Sequence, residues 1–213
     1  MVTSRPRGAR KPPSRYHHGD LQRALLAEAV RTIAIDGVEG LTLREVGRRL
    51  GVSRTALYRH FASKSALLAA GARDGFQRFR RDLAEAWAAG GQAREGFSRM
   101  GVAYVAFALA NPSHYRVMFG HFREQCEQDP ELTAEARAAF STLLDAVVSL
   151  QRDGQFRDDD PATMAHFIWA TVHGIAMLAI DGQLAASAAD ALVVYATTRL
   201  TAGIDAPARS ASS

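Results

Sequence analysis

Cysteine is nearly missing from this chain. Cys126 stands alone, so no internal disulfide can form, and the fold must rest on packing. Apolar runs are short too. None approaches the roughly 20 residues that a membrane-spanning helix needs, and the opening stretch MVTSRPRGARKPPSR lacks the apolar segment of a secretory signal. Together these absences predict a cytoplasmic protein without a membrane partner. Strand signals are absent throughout. So are a nucleophile elbow, a glycine-rich phosphate loop and a complete Cys, His and carboxylate set at metal-ligand spacing, which argues against an enzyme and predicts neither metal nor cofactor. The alternative is a helical enzyme or small-molecule binding protein, with His173 or His114 as a base and its basic end incidental.

Negative charge is scarce at one end. Residues 1–64 carry 13 Lys or Arg against 5 Asp or Glu, a net +8, whereas the remainder carries −4. A basic segment on a mildly acidic body points to a polyanion partner for that segment. Within it, Arg5, Arg7, Arg10, Lys11 and Arg15 are interrupted by Pro6, Pro12 and Pro13, which predicts a flexible basic arm over 1–15. A second structureless stretch, the tail, is expected over 205–213.

From Asp20 the pattern becomes helical. Leu21, Leu25, Ala29 and Ile33 recur every four residues and form one apolar stripe, ending near Gly37. In the next segment, LTLREVGRRLGV, Thr42 and Glu45 have capping-box spacing, and Leu41 with Val46 can form a hydrophobic staple. Gly51 can leave a helix with positive φ. Ser53 then caps a third helix, and Val52 and Leu57 repeat the staple spacing. A short helix, a glycine turn and a second short helix make a helix-turn-helix. On the second of these Ala56 and Leu57 can pack inward, leaving Arg54, Thr55, Tyr58 and Arg59 outward. Ser63 caps a fourth helix reaching about Gly90. Further helices are expected over about 93–110, from Asn111-Pro112 to Phe119, and over 131–152, 160–180 and 187–201.

The run YHHGDLQRALL…LTLREVGRRLGVSRTALYRHFASKSALL resembles the DNA-binding domain of the TetR family of transcriptional regulators over Tyr16 to about Leu68. The later half resembles the subgroup named for a Trp-His-Gly motif, here Trp169, His173 and Gly174, with NPSHYRVMF upstream. The resemblance implies an all-α homodimer. Its helix-turn-helix DNA-binding domain would span 16–64, with a fourth helix linking it to a larger ligand-binding and dimerisation domain over 65–204. It also implies double-stranded operator DNA and a small-molecule effector as partners. By position, the candidate DNA contacts are Thr42 and Arg44, then Ser53, Arg54, Thr55, Tyr58, Arg59 and His60, and finally Lys64. Two residues depart from the family pattern. Gly47 replaces the usual Ala, at about 1 kcal/mol of helix propensity unless close packing requires it. Ser65 replaces the usual acidic residue after Lys64. Lys64 itself stands in the first turn of its helix, where its charge opposes the dipole and a phosphate partner would relieve the conflict.

In the second half, Tyr104, Phe107, Met118 and Phe119, with Phe140, Met164 and His173, are the candidates for an apolar ligand pocket. Tyr115, Phe122, Phe167 and Met177 belong to the same apolar set and are expected in the core. His114 and His121, like His166 and His173, are seven apart and read as polar spots in an apolar interior rather than as zinc ligands. Ala170, Ala176, Ala179, Ala188, Ala191 and Ala196 are small enough for close helix approach. They predict dimerisation through the last two helices as a four-helix bundle.

Overall fold

Leu25, Ala29 and Ile33 bury the inner stripe of α1 (His18–Gly40) almost completely. The structure, a computed structural model, describes residues 18–120 and 129–205, and among these every regular element is a helix. The arm over 1–15, together with His121, Phe122 and Cys126, lies outside the described residues. At Gly37 the backbone leaves the helix at φ 70°, ψ 175°, at the predicted stop, and one more turn leads to Leu41.

Three hydroxyls start the next three helices: α2 (Leu43–Leu50), α3 (Arg54–His60) and α4 (Lys64–Ala89). Thr42, Ser53 and Ser63 accept the backbone N–H of Glu45, Ala56 and Ala66 at 3.2, 3.2 and 3.1 Å. Gly51 closes α2 in the left-handed region at φ 66°, ψ 26°, donating its N–H to the Arg48 carbonyl. Leu41 and Val46, the predicted staple, are fully buried. The second half of the predicted capping box is not made. Glu45 turns away from the cap and receives Arg48 at 2.6 and 2.8 Å and Arg49 at 2.8 Å, because two charged donors bind a carboxylate more strongly than one backbone N–H. Gly47 is explained by packing. A Cβ there would lie 3.0 Å from the buried Leu57 Cδ1, so the lost helix propensity accompanies close approach of α2 and α3.

Helix α4 is long enough to serve both ends of one continuous core. Leu67 and Leu68 pack toward α1, whereas Phe76, Phe79 and Leu83 are buried among the helices that follow. Those helices are α5 (Arg94–Ala110), α6 (Pro112–Phe119), α7 (Pro130–Arg152), α8 (Pro161–Ile180) and α9 (Ala186–Ile204). Asn111 ends α5 by donating both its backbone and side-chain N–H to the Phe107 carbonyl, and Pro112 opens α6. Helix α6 lies against both α1 and α4. It comes close to α4 because Gly75 has no side chain: a Cβ there would sit 2.6 Å from the fully buried Met118 Sδ.

The end of α9 is clasped to the start of α5. Arg94 donates to Asp205 Oδ2 and to the Gln155 carbonyl, both at 2.6 Å, and the Arg157 N–H reaches the Ile204 carbonyl at 2.8 Å. Asp205, expected to open the tail, therefore belongs to the ordered body; 206–213 lie outside the described residues. Helix α8 departs from the sequence reading in another way. By length and composition it could cross a membrane, yet only 33% of its most apolar window is buried. Phe167, expected in the core, is 55% exposed, and Leu178 on α8 with Val194 and Tyr195 on α9 extend the same uncovered apolar face.

Candidate nucleic-acid interface and ligand cavity

Leu57, 2% exposed, is the anchor that turns the rest of α3 outward. Arg54, Thr55, Tyr58 and Arg59 all face solvent, matching the outward row predicted from sequence. Arg54 lies over the Tyr58 ring, its guanidinium carbon 5.4 Å from the centroid, so the phenol holds the cation in place. Ser53, Thr42 and Arg44 are exposed at the starts of α3 and α2; both hydroxyls accept capping bonds and keep their own hydrogen to donate. His60 is half-buried at the end of α3. Lys64 opens α4 with its Nζ 3.4 Å from the Glu39 carbonyl.

What the sequence reading missed here is the brace behind these residues. Arg49 reaches Glu45 at 2.8 Å, Asp36 at 3.0 Å and Thr32 Oγ1 at 3.3 Å, tying α2 to α1. Bonds from Arg48 and Arg49 hold the exposed Glu45 carboxyl down at about 2. Because that pKa is depressed in the fold, the pairing is complete above the ordinary carboxylate range and fades only as pH falls from there toward 2.

Between α4, α5, α7, α8 and α9 lies a cavity of about 430 Å³. Its deep wall is aromatic: Phe79 meets Tyr104 edge-on at 4.9 Å between centroids, and Phe119 and Trp169 continue the surface. Arg137 and Ser141 on α7 and His166 on α8 are exposed lining residues and form its mouth.

One wall carries a connected chain of hydrogen bonds. Trp169 Nε1 donates to the Tyr104 hydroxyl at 2.9 Å, the two tyrosine hydroxyls are 2.9 Å apart, and Tyr115 lies 2.6 Å from His173 Nδ1. Tyr104 also lies 3.1 Å from Nδ1, so both hydroxyls gather on the one ring nitrogen of His173. Trp169, which has only an N–H to give, is the fixed donor at the start of this network. Burial raises both phenols well above their ordinary range and lowers His173 below its own. Since the folded imidazole has the lower pKa, it contributes stability above the unfolded value near 6.5 and loses it as pH falls below that. We expect the thermal midpoint to drop on acidification through pH 6.5, and the drop to shrink in His173→Gln; a thermal-denaturation series against pH measures both. Asp74 acts in a different window. A hydrogen bond from His114, 3.3 Å away, lowers its carboxyl below the usual range, so that contribution is lost only under more acidic conditions.

The structure divides the predicted pocket residues. Tyr104, Phe119 and Phe140 line the cavity. Phe107, Met118 and Met164 are buried outside its lining, because their helix faces turn toward neighbouring helices: Phe107 packs on Phe79 at 5.1 Å, and Met118 fills the space over Gly75. His173 stands behind Tyr104 and reaches the lining through it. Phe79, Trp169 and Val172 were missed as lining residues; the four-residue spacing of Trp169 and His173 was the signal for one shared face. Ala176 is fully buried within the protomer, so it cannot meet a second copy.

Residues 25–70 match the family described as bacterial regulatory proteins, tetR family, and residues 97–200 match the tetracyclin repressor-like C-terminal domain. No curated protein matches the chain. Among solved structures, a protein of unknown function from Rhodococcus sp. RHA1 is 34% identical, with a TM-score of 0.79, over 90% of this chain and 98% of its own. The TetR family transcriptional regulator PfmR from Thermus thermophilus shares the fold at 18% identity and a TM-score of 0.69, over 84% of this chain and 97% of its own. A TetR family transcription regulator from Marinobacter aquaeolei does so at 19% and 0.70, over 87% and 96%.

Proposed function

Since this chain belongs to the TetR family and is a DNA-binding regulator of transcription rather than an enzyme, we propose that it is a homodimeric repressor acting in the cytoplasm, released from a palindromic operator by a small, mostly apolar ligand. The observation that carries this reading is the outward row of α3, where Arg54, Thr55, Tyr58 and Arg59 are exposed on a helix pinned by Leu57. Such a row suits the major groove, and arginine can bind guanine O6 and N7 together. Thr42, Arg44, Ser53, His60 and Lys64 are proposed to flank it along the phosphates. The reading head is residues 16–64 and the ligand and dimer body 65–204.

Dimerisation is supported by the uncovered stripe of Phe167, Ala170, Gly174 and Leu178 on α8, beside Val194 and Tyr195 on α9. Gly174 in its centre meets nothing within 4 Å of where a Cβ would stand, which leaves room for a partner helix. Ligand would act by shifting the population of dimers whose reading heads have the operator spacing, so bound operator must weaken the ligand by the same factor.

The test begins with fragments selected from genomic DNA by the full chain. On the selected operator, Arg54→Ala is expected to cost about 1 to 3 kcal/mol and to relax one base position per half-site. Lys64→Ala is expected to leave base preference intact and reduce the slope of affinity against salt by about one per subunit. Tyr58→Phe keeps the ring under Arg54 and removes only the hydroxyl, so it should weaken all sequences alike. A competition assay in which Lys64→Ala alters base preference while Arg54→Ala does not would reverse the assignment of reader and holder.

A further inference from the structure

The cavity differs between its depth and its mouth, and the difference specifies what it can hold. We propose that its ligand is an amphipathic monoanion: an apolar chain or ring system with one carboxylate, inserted body first, the carboxylate held at the mouth by Arg137. This rests on the reading that the cavity is the effector site.

The polar groups of the depth are already engaged with one another. Trp169 gives its N–H to the Tyr104 hydroxyl, which also shares a hydrogen bond with Tyr115. Thr197, on the α9 side, donates to the Val193 carbonyl at 2.9 Å. A carboxylate placed there would have to break these bonds or lose its water without replacement, on the order of tenfold to hundredfold in affinity. The charged end of the ligand must therefore stay out of the depth, and the inner end is best hydrocarbon.

The mouth is the opposite. Among the described residues, Arg137 is the one charged side chain lining the cavity, and no carboxylate lines it. Among the described residues, too, Arg137 makes no ion pair, unlike Arg73, Arg80 and Arg94. Ser141 stands one turn along the same face of α7. Opposite, His166 lies against Phe140 at 4.6 Å and donates Nδ1–H to the Ala162 carbonyl, which fixes its ring at the rim. A planar guanidinium with a hydroxyl beside it matches a carboxylate in two-point geometry, whereas a ligand cation would meet only like charge.

The experiment is calorimetric titration of the full chain at neutral pH with four probes of one chain length: decanoate, decan-1-ol, decyltrimethylammonium and decanedioate. Decanoate should bind at least about tenfold more tightly than the alcohol or the ammonium. Decanedioate should be weaker than decanoate, because its second carboxylate would enter the dry end. Arg137→Gln, an exposed substitution, should bring decanoate down to the alcohol's affinity and leave the alcohol unchanged. The inference is overturned if alcohol and decanoate bind equally, or if Arg137→Gln changes neither. Should no probe bind while the operator is still held, the effector-site reading itself fails, and the inference with it.

Discussion

Phe167→Asp combined with Tyr195→Asp is expected to leave the protein monomeric at micromolar concentration, moving the dimer dissociation constant by at least about four orders of magnitude. A dimer with twofold symmetry meets each substitution twice, so four aromatic side chains lose their cover. At about 1.5 to 3 kcal/mol for each buried aromatic, the loss is roughly 6 to 12 kcal/mol before any repulsion among the new carboxylates is counted. The protomer itself should fold unchanged, since the two residues are 55% and 59% exposed within it. Sedimentation velocity measures the assembly, circular dichroism the fold. Operator affinity should collapse with the dimer, because one reading head holds only a half-site. A double variant that still sediments as a dimer would move the interface away from α8 and α9.

Gly75→Leu is expected to destabilise the fold by about 3 kcal/mol, lowering the thermal midpoint by roughly 6 to 12 °C. A Cβ at this position already falls 2.6 Å from Met118 Sδ and 3.5 Å from His114 Cβ, and the rest of a leucine has nowhere to go without parting α4 from α6. Met118→Ala opens the space, so the double variant should lose at least about 1 kcal/mol less than the two single losses combined. Chemical denaturation of the four proteins checks the coupling. Strict additivity would mean that the helices separate freely and that Gly75 is not what sets their distance.

The reading head was legible because its determinants are local. Thr42, Ser53 and Ser63 each bond to a backbone N–H three residues away, and Gly51 answers to its own φ, so spacing along the chain reveals them. The pocket obeys different rules. Phe107 and Tyr104 are three residues apart on α5, yet one packs into helix contacts while the other faces the void, a choice made by α4 and α8. Tyr115 and His173 meet across 58 residues, a pairing that no local pattern announces. Glu45 shows the limit on the local side. Its spacing from Thr42 was right for a reciprocal cap, but two arginines later in the same helix took its carboxylate.

The clasp between Arg94 and Asp205 sets an order of events during synthesis. One wall of the cavity comes from α5, but α9, whose Thr197 and Leu200 complete the lining, lies about 90 residues later in the chain. At about 5 to 20 residues per second, α5 waits roughly 5 to 20 s on the ribosome with its α9-facing side uncovered. The α1–α3 unit, whose caps lie within the first 70 residues and whose α1 is covered once α6 has been made, can form well before then. A nascent chain can thus present a finished reading head while its cavity is still an open, apolar groove, and that interval is when a chaperone would have something to hold.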